Sequence, residues 1–126
     1  MIHLDTSALV TALTGERRAA PVLRGLISDG WRLGISSPVL YEWLRGPRMP
    51  DDLAAQQILV PAQEVQVFGS DEALLAADLY RRIGRGRGRE MDIAIAACAI
   101  SAGATLWTLN PHAFADIPGL TLLDTE

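Results

Sequence analysis

Ile2-His3-Leu4-Asp5-Thr6-Ser7 is the stretch on which the reading of this chain turns. It has the form of a short apolar strand that stops at a carboxylate. Two small hydroxyl residues and then Ala8-Leu9-Val10 follow, the opening of a helix. In open α/β sheets, ligands bind in the crevice beyond the carboxyl ends of the strands. An acid at the tip of a first, buried strand therefore stands where a ligand is held. Asp, Ser and Thr are also good helix N-caps, and capping alone would account for Asp5 or Thr6. The choice between the two depends on whether other acids reach the same crevice.

Working outward, strands alternate with helices to the end of the chain. Helices are expected over 6–13, 18–28, 39–45, 51–60, 71–83 and 90–102, with a short helical turn over 111–115. Ser37 is read as the N-cap of the third, with Pro38 at its first position. Ser70 is read as the cap of the fifth. Strands are expected at 32–35, 65–68, 104–108 and 120–123, besides the first, and the tail 124–126 as solvated. There are no repeats, no hairpin signals and no long linker. This pattern predicts a single domain over 1–126, with a parallel sheet between helices on both faces.

Length and composition agree with one soluble domain. The chain has 126 residues, 49% hydrophobic and 21% charged, enough apolar material for a core without disulfide or metal staples. No apolar run approaches the roughly 20 residues of a membrane span, and no signal peptide is evident. The single cysteine, Cys98, lies in an apolar run and reads as a small buried hydrophobe. A cytoplasmic protein is expected.

The net charge of −4 argues against a general nucleic-acid coat. Its distribution says more. All 11 basic residues are arginines, and Arg81, Arg82, Arg85, Arg87 and Arg89 fall in one short glycine-rich stretch. Arginine suits bidentate phosphate contact. Against the acidic balance of the whole, this cluster is read as an RNA- or polyanion-binding patch.

Two further acids share the surroundings of Asp5. Glu42 lies mid-helix among Val39, Leu40, Tyr41, Trp43 and Leu44, with no capping role and Arg45 as a candidate counter-ion. Asp92 begins a stripe continued by Ile95, Ala96, Ala99 and Ile100, which should face the core. A carboxylate there is costly unless paired. Glu90 is better placed to serve the helix dipole alone. If the three acids converge at one sheet edge, their oxygens suit magnesium or manganese. Such ions promote phosphodiester cleavage by activating water.

Leu4-Asp5-Thr6-Ser7-Ala8, Ser37-Pro38-Val39-Leu40-Tyr41-Glu42, Asp92-Ile93-Ala94-Ile95-Ala96-Ala97 and Leu106-Trp107-Thr108-Leu109-Asn110 occur here in an order and spacing that resemble the PIN-domain family. Within it the resemblance is to the VapC toxins of bacterial toxin–antitoxin pairs, over nearly the whole length. The resemblance implies a three-layer α/β/α sandwich with a central parallel sheet of four to five strands. It implies a magnesium-dependent endoribonuclease, with manganese as the alternative ion, usually a homodimer and neutralised by a cognate antitoxin. The family's metal-binding acids map onto Asp5, Glu42 and Asp92. Thr6, Ser7 and Thr108 would stand beside the metal.

The chain departs from the family at one place. Many members carry a fourth acid after the last conserved strand, where this sequence has Asn110 and Ala113; Asp116 is the nearest acid. One firmly bound ion is therefore expected. The competing reading is a PIN-like module that binds RNA or protein while cutting weakly or not at all. The intact Asp5, Glu42 and Asp92 speak against it, and the missing fourth acid for it. His3 is expected in a buried strand and His112 on a surface turn. Most of Trp31, Tyr41 and Trp43 are expected in the core, the rest lining a groove for an antitoxin helix.

Overall fold

The computed structural model describes residues 1–125; Glu126, part of the tail expected to be solvated, lies outside the described residues. Four short parallel strands form one sheet: β1 (Ile2–Leu4), β2 (Leu33–Gly34), β3 (Thr105–Trp107) and β4 (Thr121–Leu122). Their order is β2-β1-β3-β4, with Ile2 opposite both Leu33 and Thr105. β1 is thus central. All three of its side chains are buried, as a parallel strand covered on both faces requires.

Six α-helices flank the sheet: α1 (Thr6–Leu13), α2 (Ala20–Ser28), α3 (Ser37–Arg45), α4 (Pro50–Leu59), α5 (Ser70–Ile83) and α6 (Glu90–Ser101). The region around α1 packs on α2, α3 and α4, while α6 packs on α5, α3 and β3. Helix α6 is the buried one: Ile93 and Ile95–Ala99 are all inaccessible. The core closes around Leu4, Leu9, Ile35, Trp43, Leu106, Trp107 and Phe114. No helix among the described residues is long and apolar enough to cross a membrane.

Three expectations are corrected. The strand over 65–68 shrinks to a single parallel bridge between Gln66 and Ser36. Gln66 donates to the Ile35 carbonyl and Ser37 to the Gln66 carbonyl; then Phe68 N–H turns to the Ser37 hydroxyl. The neighbouring chain has by then entered α3, so no ladder remains to extend. Second, the caps lie one residue earlier: Ser36 precedes α3 and Gly69 precedes α5, the latter's N–H bonding Glu72. Third, of the three early aromatics only Trp43 is in the core; Trp31 and Tyr41 are about half exposed.

Candidate active site

β1 ends at Leu4 because the chain turns into α1 there. Asp5 still donates its N–H to the Trp107 carbonyl, continuing the sheet, and its carbonyl accepts from Leu9, starting the helix. This double engagement fixes the backbone of Asp5, which is only 6% exposed. No side-chain cap bond from Asp5 is made, so capping does not explain the residue.

The Asp5 carboxylate is held from the side. Ser7 Oγ donates to Oδ2 at 3.0 Å, and Thr108 Oγ1, just past β3, donates to the same oxygen at 2.7 Å. Both hydroxyls are themselves braced, Ser7 by Leu109 N–H and Thr108 by Asn110 N–H. Two donors on one oxygen hold the carboxylate in place. Thr6 Oγ1 donates to Glu42 Oε1 at 2.5 Å, tying the start of α1 to α3. The other Glu42 oxygen lies 3.5 Å from Arg45, the counter-ion expected from spacing.

Asp92 enters from the first turn of α6, half-buried. Its carboxyl is pushed above the ordinary range, first by burial, then by the charges of Asp5 and Glu42; Arg89 alone pulls the other way. The acids just past β1, on α3 and on α6 are therefore close enough for Asp5 and Glu42 to act on Asp92. Among the described residues they do not form a tight ready-made cage. Hydroxyls serve two of the three instead: Ser7 and Thr108 bond Asp5, and Thr6 bonds Glu42. An all-oxygen donor set with a desolvated, under-compensated carboxylate fits a hard divalent cation.

The remaining candidates divide. Asn110 precedes a turn over Pro111–Ala113 without a side-chain cap bond, its carbonyl accepting from Ala113. Asp116 takes a forked ion pair from Arg89 at 2.6 and 2.9 Å, which holds its carboxyl below the usual range. Arg89 also donates to the Ala113 carbonyl. Arg81 and Arg82 make loose contacts with Asp78 on their own helix. Arg81, Arg85 and Arg87 line a hollow of about 410 Å³ with Tyr80 and the glycines between. Tyr80 escaped the sequence reading, although its place one residue before the arginine run was visible. Gly86 packs against the Tyr80 ring, and a Cβ there would run into it. His112 is on the surface turn and His3 is buried, as expected.

Comparison with known proteins sets this geometry among relatives. Residues 2–120 match the PIN domain family. Ribonuclease VapC19 of Mycobacterium tuberculosis is 35% identical over 119 residues, 93% of this chain and 94% of the relative. VapBC2 of Rickettsia felis, solved bound to a DNA fragment from its promoter, includes a chain of similar fold. That chain has a TM-score of 0.76 and 25% identity, with both chains fully covered. A DNA-bound VapBC of Salmonella typhimurium matches with a TM-score of 0.77 and 23% identity, over 98% of this chain and 96% of that one.

Proposed function

The chain belongs to the PIN domain family, and from that premise we propose that it is the ribonuclease toxin of a toxin–antitoxin pair, a metal-dependent endoribonuclease. The observation that carries the proposal is the meeting of three acids: Asp5, buried and braced by Ser7 and Thr108, Glu42, tied to α1 by Thr6, and Asp92, whose carboxyl both of the others push up. Three carboxylates brought near one another in part-buried surroundings are costly for a fold that has no use for them. Ribonuclease VapC19, similar over almost the whole chain, supports the same reading.

Asp5, Glu42 and Asp92 would hold magnesium, or manganese in its place. A divalent ion supplies Lewis acidity, which eases the deprotonation of water and offsets charge gathering on a phosphate. The reaction is hydrolysis: water oxygen bonds to phosphorus, and the bond from phosphorus to the leaving sugar oxygen breaks. Thr108 and Ser7 hold the Asp5 carboxylate in one orientation, and Thr6 does the same for Glu42. The basic hollow at the end of α5 suits a strand of RNA. Arg85 and Arg87 meet phosphate, and Tyr80 offers a ring for a base to stack on.

The partners follow from the same reading. An antitoxin is supported by the VapBC assemblies that this fold matches. The exposed Tyr41, Leu44, Met49 and Ile58 on and around α3 and α4 supply apolar surface for it. A homodimer in the cytoplasm completes the proposal.

The test is digestion of total RNA by purified protein with magnesium, with manganese and with a chelator, beside Asp5→Ala. Discrete fragments that need metal and vanish in the variant are expected. No cleavage with either metal, from folded protein free of antitoxin, would leave a binding module instead.

A further inference from the structure

The ion pair between Arg89 and Asp116 differs from three others among the described residues. Among the described residues, Arg45–Glu42, Arg81–Asp78 and Arg82–Asp78 each join neighbours on one helix at 3.5–3.9 Å. Arg89–Asp116 joins two separate elements through 2.6 and 2.9 Å bonds, and Nη2 adds a 2.9 Å bond to the Ala113 carbonyl. The Arg89 side chain is only 22% exposed.

Its position gives the pair a use. Arg89 is the residue immediately before α6, and its carbonyl accepts from Ile93 in the first turn. The approach to it turns through Gly84 and Gly88, both at positive φ, and the loop holds Arg89 by its N–H to the Gly86 carbonyl at 2.8 Å and by a long 3.5 Å bond from Nη1 to the Arg85 carbonyl, so the Asp116 fork is the strongest tie at the helix start. Asp116 and Ala113 belong to the segment after β3, whose first residue, Thr108, donates to the Asp5 carboxylate and accepts from Asn110 N–H. One guanidinium thus links the element bearing Asp92 to the segment that orients Asp5.

We propose that Arg89 is a positioning residue: clasped by Asp116 and the Ala113 carbonyl, it fixes the start of α6 and thereby sets where Asp92 stands relative to Asp5. The proposal rests on the ribonuclease reading above and removes Arg89 from the RNA-contacting set. A planar fork is needed for three bonds on two partners, and a lysine ammonium cannot reproduce it while keeping the charge.

Arg89→Lys is therefore the discriminating variant, with Asp116→Glu as the conservative one that keeps the fork. Cleavage kinetics, Mn2+ binding by calorimetry and thermal melting are measured on wild type and both variants. In Arg89→Lys, kcat falls about tenfold or more from misplacement of one carboxylate. KM stays within about twofold. Mn2+ affinity drops several-fold, and melting moves by only a few degrees, as a part-exposed pair implies. Asp116→Glu retains most of kcat. An unchanged kcat, or a raised KM at constant kcat, would overturn the proposal, the second making Arg89 a phosphate contact. A loss of activity that merely tracks a loss of folded protein would overturn it too. If wild type does not cleave, the ribonuclease reading fails, and Mn2+ affinity decides the clasp alone: equal affinity in wild type and Arg89→Lys ends it.

Discussion

Thr108→Val removes one oxygen and almost no volume, so it isolates what the hydroxyl does. That hydroxyl donates 2.7 Å to Asp5 Oδ2 and accepts from Asn110 N–H. A hydrogen bond to a charged group contributes about 1.5–3 kcal/mol. The site is half-buried and Asn110 N–H can turn to water, which places the loss near the low end, about 1.5 kcal/mol. For a domain of this size that is roughly 5 °C in Tm. The larger effect falls on the cation. Asp5 keeps Ser7 at 3.0 Å but loses its shorter brace. Loss of a partner that orients a ligand costs about 10–100-fold in metal affinity. Thermal melting and Mn2+ calorimetry on the same preparation separate the two. A drop in Tm with unchanged Mn2+ affinity would refute the assignment of Thr108 to the site and leave it a structural bond. No change in either would mean that the bond does not hold Asp5 at all.

Other outcomes follow from the same structure. Burial, with the nearby N-terminal ammonium, lowers the His3 pKa from 6.5 to about 4. Its neutral form therefore contributes stability above pH 6.5 that is lost as the pH falls toward 4. Urea unfolding should show about 3 kcal/mol of such loss in wild type that is missing in His3→Leu; equal pH profiles would contradict it. Asp92 has the opposite sign: its folded pKa is raised, so the charged form costs stability as pH rises above the ordinary carboxylate range. Metal-free Asp92→Asn should be at least as stable as wild type at neutral pH, with a margin that narrows in acid; a clearly lower Tm at pH 7 would make Asp92 structural. Arg85→Ala and Arg87→Ala should each weaken RNA binding and reduce the salt dependence by about 0.7 of a logarithmic unit per contact; an unchanged slope would remove them from the interface.

Much of this was legible from residue types alone. Serine and proline starts and glycine stops placed α1, α3, α5 and α6 within about two residues. β1 was plain because Ile2, Leu4 and the following acid leave few alternatives. Asp92 stood out as a carboxylate on an otherwise apolar stripe, and its raised pKa is the physical form of that anomaly. The strand at 65–68 was misread because Val65-Gln66-Val67 alternates correctly, yet its partner chain turns into α3 at Ser37 and Val67 is left 69% exposed. Periodicity describes a segment and not the length of its neighbour. Long-range bonds were invisible for the same reason. Nothing local in Thr108 announces a contact with Asp5, nor in Arg89 a fork onto Asp116.

The central claim is that Asp5, Glu42 and Asp92 form one cation site, and its most direct test is calorimetric titration of Mg2+ and Mn2+ into wild type, Asp5→Asn, Glu42→Gln and Asp92→Asn without RNA. One binding event in wild type, lost or severely weakened in each of the three folded variants, is the expected result. Binding that survives undiminished in any one of them would show that this acid does not belong to the site.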